Sequence, residues 1–246
     1  NFKYDDEKKY ISNELFEFGG KNTLINLENG GGKTVILQLA LQVVKPNTPL
    51  GSRRFADYFK PDSGTAHIMV EWIQDSISTG AEFLLTGVCF TKGTDGLKYF
   101  MYTHEYASPN PYDIKNIPVV NSNKQVTGFS EFYRTLRELS SSSAYRINVY
   151  SRDRYKDYRN KLETYNIFED EFEAIRIINL SEGGIEKFFE NAKKSRHVIE
   201  KLIIPSMPPI EGDEEGVLAE TFKKHMENLK IIPLYQHRIK VYDRFC

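Results

Sequence analysis

Three consecutive glycines lie in the sequence Asn29-Gly30-Gly31-Gly32-Lys33-Thr34, and the residues on either side of them have different patterns. Before the glycines, residues 23–27 form a short apolar run that predicts a strand. After them, apolar residues recur at spacings of three and four over 33–44, which predicts a helix that Pro46 ends. The expected local structure is therefore a strand, a glycine-rich turn and a helix that begins near Lys33.

A glycine-rich turn between a strand and a helix that opens with Lys-Thr is the arrangement of a phosphate-binding loop, or P-loop. Glycines let the backbone curl so that several N–H groups point at phosphates, and the helix adds the positive end of its dipole. We expect Lys33 to neutralise the β- and γ-phosphates and the Thr34 hydroxyl to bind Mg²⁺. The sequence therefore predicts that the chain binds the triphosphate of ATP together with Mg²⁺.

One position departs from the usual P-loop pattern, which has a glycine five residues before Gly32. Leu27 stands there in this chain, so Gly30 and Gly31 must supply the flexibility of the loop. The plainer interpretation is a glycine-rich turn that Lys-Thr follows by chance. We prefer the P-loop because the predicted strand, loop and helix agree with one another.

Composition places the chain among ordinary globular proteins and excludes several other classes. Its 246 residues suit one large domain or two small ones, and 40% of them are hydrophobic and 27% charged. The formal net charge of -1 gives no overall support for nucleic-acid binding, so any basic surface must be local. Two cysteines are too few for a disulfide framework or a zinc site, and no apolar run is long enough to cross a membrane. We expect a cytoplasmic protein with no membrane partner, and the ends of the sequence suggest part of a longer protein.

The rest of the chain alternates between predicted strands and predicted helices. Residues 15–18 and 23–27 predict two strands that the pair Gly19-Gly20 separates. Further strands are predicted at 67–73, 83–90, 98–104 and 174–180, with a turn at 93–96. Helices are predicted at 128–140, 150–167, 184–202 and 216–246, with a break at Pro233. This pattern indicates an α/β domain of the P-loop type that carries an antiparallel subsheet.

The loop Asn29-Gly30-x-Gly32-Lys33-Thr34 resembles that of ABC-type ATPases, and most of all that of the SMC-like group. The start Asn1-Phe2-Lys3 is similar to the start of SMC heads, in which an antiparallel pair of strands leads into the P-loop. A second similarity is Glu182-Gly183-Gly184-Ile185, which follows a predicted strand and precedes a predicted helix, as the Q-loop of these heads does. The resemblance implies that Glu182 replaces a glutamine that touches Mg²⁺ and the attacking water. Glu182 is therefore a candidate metal ligand and catalytic residue beside Lys33.

Residues 180–184 allow two other interpretations. Glu182 can be an acid at a helix N-terminus that complements the helix dipole. The run Leu180-Ser181-Glu182-Gly183-Gly184 is also superficially similar to the ABC signature LSGGQ, which a helix and then a strand ending in Asp-Glu should follow. Here the chain continues as Lys201-Leu202-Ile203-Ile204-Pro205-Ser206 without an acid, so we reject the signature.

The sequence also lacks a Walker B Asp-Glu pair and a switch histidine. In the SMC family these parts return after a long coiled coil, so the resemblance implies that residues 1–205 are the N-terminal lobe of a split ATPase head. Residues 206–246 are then expected to form a linker and the base of a helical, coiled-coil arm. The implied fold is α/β, a P-loop NTPase lobe of the ABC and SMC head type.

Three segments resemble bacterial anti-phage and anti-plasmid defence ATPases, with Lamassu-type systems first and Wadjet-type systems second. They are residues 27–34, residues 51–59 and residues 64–72. The resemblance implies that two heads engage over ATP as a homodimer and act on DNA. It also implies non-SMC accessory subunits and a nuclease effector among the partners.

The candidate nucleotide-binding residues are the loop, the residue after it and two arginines that follow the first helix. They are Asn29, Gly30, Gly31, Gly32, Lys33, Thr34, Val35, Arg53 and Arg54. The planar fork of arginine pairs well with phosphate, although Arg53 and Arg54 suit a solvated loop equally. Basic residues in the helix predicted at 184–202 likewise suit a DNA backbone or solvent. Glu71 and Asp75 follow a strand as a Walker B acid does, but no sufficient apolar run precedes them, so we expect them to be structural.

Two other functions are compatible with a P-loop. A free-standing kinase or GTPase needs its own second Mg²⁺ acid and a base or lid arginine, and a GTPase needs an N-K-x-D motif that the sequence lacks. A nucleotide-gated interaction module without catalysis is favoured by Glu182 in place of glutamine.

Overall fold

The computed structural model describes residues 2–4, 9–26, 28, 32–49, 54–58, 64–74, 80–94 and 96–180. Two short strands, β1 Phe2–Tyr4 and β2 Lys9–Ile11, form an antiparallel ladder. Four longer strands follow, β3 Thr65–Ile73, β4 Phe83–Gly93, β5 Gly96–Tyr106 and β6 Arg146–Ser151. They form one antiparallel sheet in the order β3-β4-β5-β6, so each strand lies beside its neighbour in the sequence.

Four α-helices surround this sheet. They are α1 Lys33–Leu41, α2 Phe129–Ser140, α3 Tyr155–Glu163 and α4 Glu169–Leu180. Short 3₁₀ turns at Phe55–Tyr58 and Arg152–Arg154 complete the regular structure of the described residues. None of the helices in this part of the chain is long and apolar enough to cross a membrane.

Both faces of the sheet are covered, because side chains alternate between the faces and each set is apolar. One face packs on α1 and α3 and contributes Leu84, Val88 and Met101 to a first core, with Leu39, Tyr158 and Leu162 from the helices and Val43 from the turn after α1. The other face packs on α2 and contributes Leu85, Cys89 and Tyr102 to a second core, with Phe132 and Leu136 from the helix. The structure is therefore three layers, with β4 buried at every residue from 84 to 90.

A glycine in the middle of β4 makes room for the largest side chain of the second core. Gly87 pairs with Tyr102 of β5, and any side chain at Gly87 would overlap the Tyr102 ring. Tyr102 lies fully buried there and meets the Phe132 ring edge-on at 5.5 Å between centroids. Gly87 thus leaves the space in which the Tyr102 ring contacts Phe132 of α2.

The described residues confirm the mixed α/β class and the antiparallel sheet. The strands predicted at 67–73, 83–90 and 98–104 lie within β3, β4 and β5, and the helix predicted at 128–140 is α2. The prediction of a helix over 150–167 is correct for α3 but missed the end of β6 before it. The helix predicted at 33–44 begins as expected and ends at Leu41, followed by turns.

The two strands predicted at 15–18 and 23–27 are wrong wherever the structure describes them. Residues 12–18 and 21–26 form no strand, although the turn between them is confirmed by Gly19 and Gly20, whose φ angles are 58° and 66°. A strand needs a neighbour for its N–H and C=O groups, and no described strand pairs with these residues. Leu24 is instead 92% exposed.

The strand predicted at 174–180 is also wrong, because these residues belong to α4. A short apolar run fits a buried strand or a helix equally well, and here the neighbouring residues favour the helix. Glu169, Asp170 and Glu171 place acids in its first turn, and Glu173 pairs with Arg176 one turn later. The Q-loop resemblance at Glu182 therefore loses the strand that should precede it.

Residues 181–246, with the predicted helices, the domain boundary at 205 and the arm, lie outside the described residues.

Candidate nucleotide-binding site

Gly32 forms the junction between the glycine-rich sequence and α1. Its φ and ψ angles are 85° and 18°, in the left-handed region that only glycine enters at little cost. Its carbonyl oxygen accepts the first helical hydrogen bond, from the backbone N–H of Ile36 at 2.9 Å. The helix therefore begins at Lys33, as the sequence predicts, and the chain turns sharply into it.

The first turn of α1 is suited to an anion. Gly32 has no side chain that could cap the helix, and the first turn of α1 contains no acidic residue. The first N–H groups of a helix lack partners within the helix and lie at the positive end of its dipole. Thr34 is exposed in this turn, and Val35 is half-buried and packs on the first core. Thr34 is thus placed to offer a hydroxyl while Val35 anchors the turn.

The remaining loop residues lie outside the described part of the chain. These are Asn29, Gly30, Gly31 and the side chain of Lys33, together with Arg53 and Glu182. Arg54 is described, and its side chain is 86% exposed and pairs with Asp57 at 3.3 Å. That geometry favours the solvated-loop interpretation of Arg54 over a nucleotide contact.

The far end of α1 is held by two tyrosines of α3. The Tyr158 hydroxyl donates a hydrogen bond to the carbonyl oxygen of Val43. The Tyr155 hydroxyl lies 3.3 Å from the carbonyl oxygen of Val44 and donates its proton to the Glu169 carboxylate, 2.8 Å away. Burial raises the pKa of Tyr158 far above its usual value, so this hydroxyl stays protonated and remains a donor. Gln42 adds a hydrogen bond to the Thr48 carbonyl at 2.8 Å. The carboxyl end of α1 is thereby fixed to the sheet.

An ion-pair network joins the same end of α1 to α4. Lys45 Nζ lies 2.8 Å from a Glu169 carboxylate oxygen and 3.7 Å from Glu173. Partial burial lowers the pKa of Lys45, but the hydrogen bond and charge of Glu169 outweigh it and raise the pKa overall. Glu173 also pairs with Arg176, whose hydrogen bonds hold the Glu173 pKa below its usual value. This network connects the segment just beyond α1 to the first turns of α4.

Sequence reasoning missed this anchoring of α1. Tyr155 lies 111 residues beyond Val44, and Tyr158 lies 115 residues beyond Val43, so no local pattern reveals either contact. The available signal was the spacing of Tyr155, Tyr158 and Leu162 at three and four residues, which predicts a buried helix face but not what covers it.

A cleft of about 1920 Å³ runs along α1. It lies between α1, β3 and residues 13–20, and the described residues that line it include neither Gly32 nor Thr34. The lining is mainly apolar and includes Phe16, Phe18 and Trp72. The cleft therefore does not include the described start of α1, where the candidate phosphate site lies.

The remaining polar candidates on β3 make hydrogen bonds within the fold. Glu71 accepts one from the Tyr106 hydroxyl, in keeping with the structural role expected for it. His67 lies with its Nε2 3.0 Å from the Thr127 carbonyl oxygen, and burial lowers its pKa to about 4. Asp75 lies outside the described residues. No group of three or more potential metal ligands occurs within the described part of the chain.

Comparison with known proteins finds no matching family model, no similar curated protein and no similar solved structure. The relation to the SMC-like ATPases therefore depends on the sequence motifs quoted above.

Proposed function

We propose that this chain is the ATP-binding lobe of an SMC-like ATPase. The observation that carries the proposal is the sequence Gly30-Gly31-Gly32-Lys33-Thr34 at the start of α1, where Gly32 adopts a left-handed conformation and the first turn is free of acids. A polyphosphate is the ligand that this combination suits best, because it meets helix N–H groups, a lysine and a hydroxyl together.

The residues present fit ATP with Mg²⁺. The backbone N–H groups of residues 32–35 hold the phosphate oxygens, and Lys33 adds the cation that neutralises the β- and γ-phosphates. The exposed Thr34 hydroxyl is the Mg²⁺ ligand of the described residues, and Glu182 is the proposed second ligand. Mg²⁺ supplies charge neutralisation on the phosphates when it is bound. Lys33 and Glu182 are the proposed catalytic residues of the complete head.

Several apolar side chains before the loop are exposed, which supports the proposal that another polypeptide completes this lobe. Leu15, Phe16, Phe18, Leu24 and Ile25 are each at least 39% exposed, and they lie within one stretch of eleven residues. A contiguous apolar surface of this kind marks a contact with another chain or segment. We propose that residues 22–26 become a strand of a P-loop sheet when the second half of the head joins, with its signature and Walker B motifs.

The proposed activity is ATP-dependent engagement of two such heads on DNA in bacterial defence against phages or plasmids. The segments 27–34, 51–59 and 64–72 support a Lamassu-type system first and a Wadjet-type system second. A second copy of the head, non-SMC accessory subunits and a nuclease effector are the proposed partners. Binding energy from ATP drives head engagement, and hydrolysis reverses it.

Titration of the full chain with a non-hydrolysable ATP analogue and Mg²⁺ tests the proposal. We expect measurable but weak binding that falls at least about tenfold in Lys33→Ala, since a charged hydrogen-bond partner of the phosphate is lost. Lys124→Ala is the matched control, because Lys124 is exposed in the distant turn at 121–125 and should leave affinity unchanged. Equal affinity of Lys33→Ala and the wild type would overturn the nucleotide site. Rapid ATP turnover by this chain alone would overturn the split head but leave the nucleotide site intact.

A further inference from the structure

Two glutamines at α1 are almost completely buried, although most of the other residues of this helix are apolar. Gln38 is 2% exposed and lies within α1, and Gln42 is 0% exposed and directly follows the helix. The side-chain N–H of Gln42 donates to the carbonyl oxygen of Thr48 at 2.8 Å and so closes the end of the helix. Gln38 differs, because neither its side-chain oxygen nor its side-chain nitrogen has a hydrogen-bond partner in the described part of the chain.

The unpaired amide of Gln38 is a cost to the fold. A glutamine side chain can donate two hydrogen bonds and accept two, and burying it without partners lowers stability. An apolar side chain such as methionine fills a similar volume without that cost. Proteins depart from full pairing of buried polar groups mainly at functional sites. The amide therefore indicates a role for Gln38 outside the folding of α1.

Gln38 lies about one helical turn after Thr34, the proposed Mg²⁺ ligand. Residues four apart on a helix are neighbours, with Cβ atoms about 5–6 Å apart. Helical side chains also lean towards the N-terminus, so the Gln38 side chain extends over the turn that contains Thr34. The first turn of α1 contains no acid that could accept a hydrogen bond from the Thr34 hydroxyl. The side-chain oxygen of Gln38 is thus the acceptor that the helix itself brings to this hydroxyl.

We infer that Gln38 is a positioning residue of the proposed nucleotide site. Its side-chain oxygen accepts a hydrogen bond from the Thr34 hydroxyl and turns the lone pairs of that hydroxyl towards Mg²⁺. A hydroxyl that gives a lone pair to a metal ion still has a proton to donate, and the nearby cation makes it a stronger donor. The inference rests on the proposed function, which assigns Thr34 to Mg²⁺. It adds to the site a residue beyond the P-loop pattern, which ends at Thr34.

Gln38→Met tests the inference, because methionine has a similar length and volume but no amide. The full chain without nucleotide should unfold at a Tm at least as high as that of the wild type, since unpaired polar atoms are removed. The binding measurement compares affinity for a non-hydrolysable ATP analogue with and without Mg²⁺, and the ratio is called the Mg²⁺ gain below. The Mg²⁺ gain should fall about tenfold in Gln38→Met, as expected when a metal ligand loses the group that orients it. Affinity without Mg²⁺ should stay unchanged.

A double-mutant cycle with Thr34→Val shows whether Gln38 acts through Thr34. Valine keeps the shape of threonine but has no hydroxyl, so Thr34→Val should itself reduce the Mg²⁺ gain. Adding Gln38→Met to Thr34→Val should have no further effect, because the hydrogen bond is already absent. An equal effect of Gln38→Met in both backgrounds would overturn the inference.

Two matched variants separate a role at the site from a role in folding. Gln38→Glu keeps a side-chain oxygen as acceptor, so it should keep the Mg²⁺ gain even though a buried carboxylate lowers the Tm. Gln42→Met removes the other buried amide and leaves the Thr48 carbonyl without its donor, so it should lower the Tm and keep the Mg²⁺ gain. Stability and the Mg²⁺ gain should therefore change independently of each other.

The outcomes distinguish a failure of this inference from a failure of the proposed function. A wild-type Mg²⁺ gain in Gln38→Met, beside weakened binding in Lys33→Ala, would overturn the role of Gln38 and leave the nucleotide site standing. Loss of the Mg²⁺ gain in Gln42→Met as well would also overturn it, since any disturbance of α1 would then explain the effect. Absence of analogue binding by the wild type would overturn the nucleotide site and the role of Gln38 together.

Discussion

The sheet with its two helical layers and the stretch that leads into α1 differ in how complete each is by itself. In the sheet region, residues 65–163, neighbouring strands are fully paired and both cores are closed by helices. In the loop region, residues 12–41, apolar side chains reach solvent and residues 12–18 and 21–26 form no strand. The described edge of β3 that does not face β4 lies along the same cleft. Unpaired backbone and exposed apolar surface therefore occur together on one side of the molecule.

The difference follows from where an antiparallel sheet and a P-loop strand obtain their neighbouring strands. Each strand of the antiparallel sheet pairs with the next strand along the chain, so the segment from β3 to β6 supplies the whole sheet. A P-loop strand is flanked by strands from distant parts of a chain, so it remains unpaired until they arrive. Under the proposed function, the loop region is the part of the chain that other polypeptide completes.

Removing the same side chain from each region gives the largest contrast. Leu84 is fully buried in the first core and Leu24 is 92% exposed. Leu84→Ala should lower the free energy of unfolding by about 2–5 kcal/mol, because it deletes buried methyl groups and leaves a cavity. Leu24→Ala should change it by less than about 0.5 kcal/mol. Urea unfolding of the full chain measures both. A large loss in Leu24→Ala would show that the loop region is already covered in solution.

Lowering the pH acts on the sheet region through His67. Its Nε2 faces the Thr127 carbonyl, its Nδ1 is buried without a partner, and burial lowers its pKa to about 4. Between the ordinary value of about 6.5 and pH 4, the unfolded chain takes up a proton that the folded chain refuses, so stability falls as pH falls. The expected loss from this one group is about 3 kcal/mol by pH 4.

His67→Gln is the variant that isolates this effect. Glutamine can still donate to the Thr127 carbonyl but carries no titratable group. Between pH 7 and pH 4, the free energy of unfolding of His67→Gln should therefore fall by about 3 kcal/mol less than that of the wild type. Parallel pH profiles for the two proteins would mean that the imidazole reaches solvent. His104, whose pKa burial also lowers, is present in both proteins and cancels from the comparison.

The two regions also differ in how much of them the sequence predicts. The apolar runs in β3 to β5 and the helical spacing in α1 and α2 were sufficient, because local pattern and final environment agree there. β6 alternates between apolar and polar residues at Ile147 and Val149, a signal that was overlooked beside the polar helix that follows. Residues 174–180 could not be decided, since a short apolar run suits a strand or a helix.

At the candidate site, the local structure around Gly32 was predictable from the sequence, whereas the contacts that distant residues make with α1 were not. Gly32 before Lys33 predicts both the sharp turn and the start of α1, because glycine adopts the left-handed conformation at little cost. The tyrosines that fix the other end of α1 are distant in sequence, so their contacts follow only from the packed fold. The strand before the glycines was predicted from a short apolar run. Such a run does not show whether neighbouring strands are present to pair with it.

The smallest expected effect concerns the link between the two regions. Tyr158→Phe keeps the ring in the first core but removes the hydroxyl that donates to the Val43 carbonyl. A buried carbonyl left without a partner should cost about 1–3 kcal/mol, and the cost should fall mainly on α1. Amide hydrogen exchange over residues 33–44 should therefore become faster than in the wild type, while exchange in β4 and β5 stays slow. Tyr133→Phe is the control, because Tyr133 is exposed on α2 and should leave both regions unchanged. Unchanged exchange in α1 of Tyr158→Phe would mean that apolar packing alone joins α1 to α3 and the sheet, and the two regions would then be coupled without this hydrogen bond.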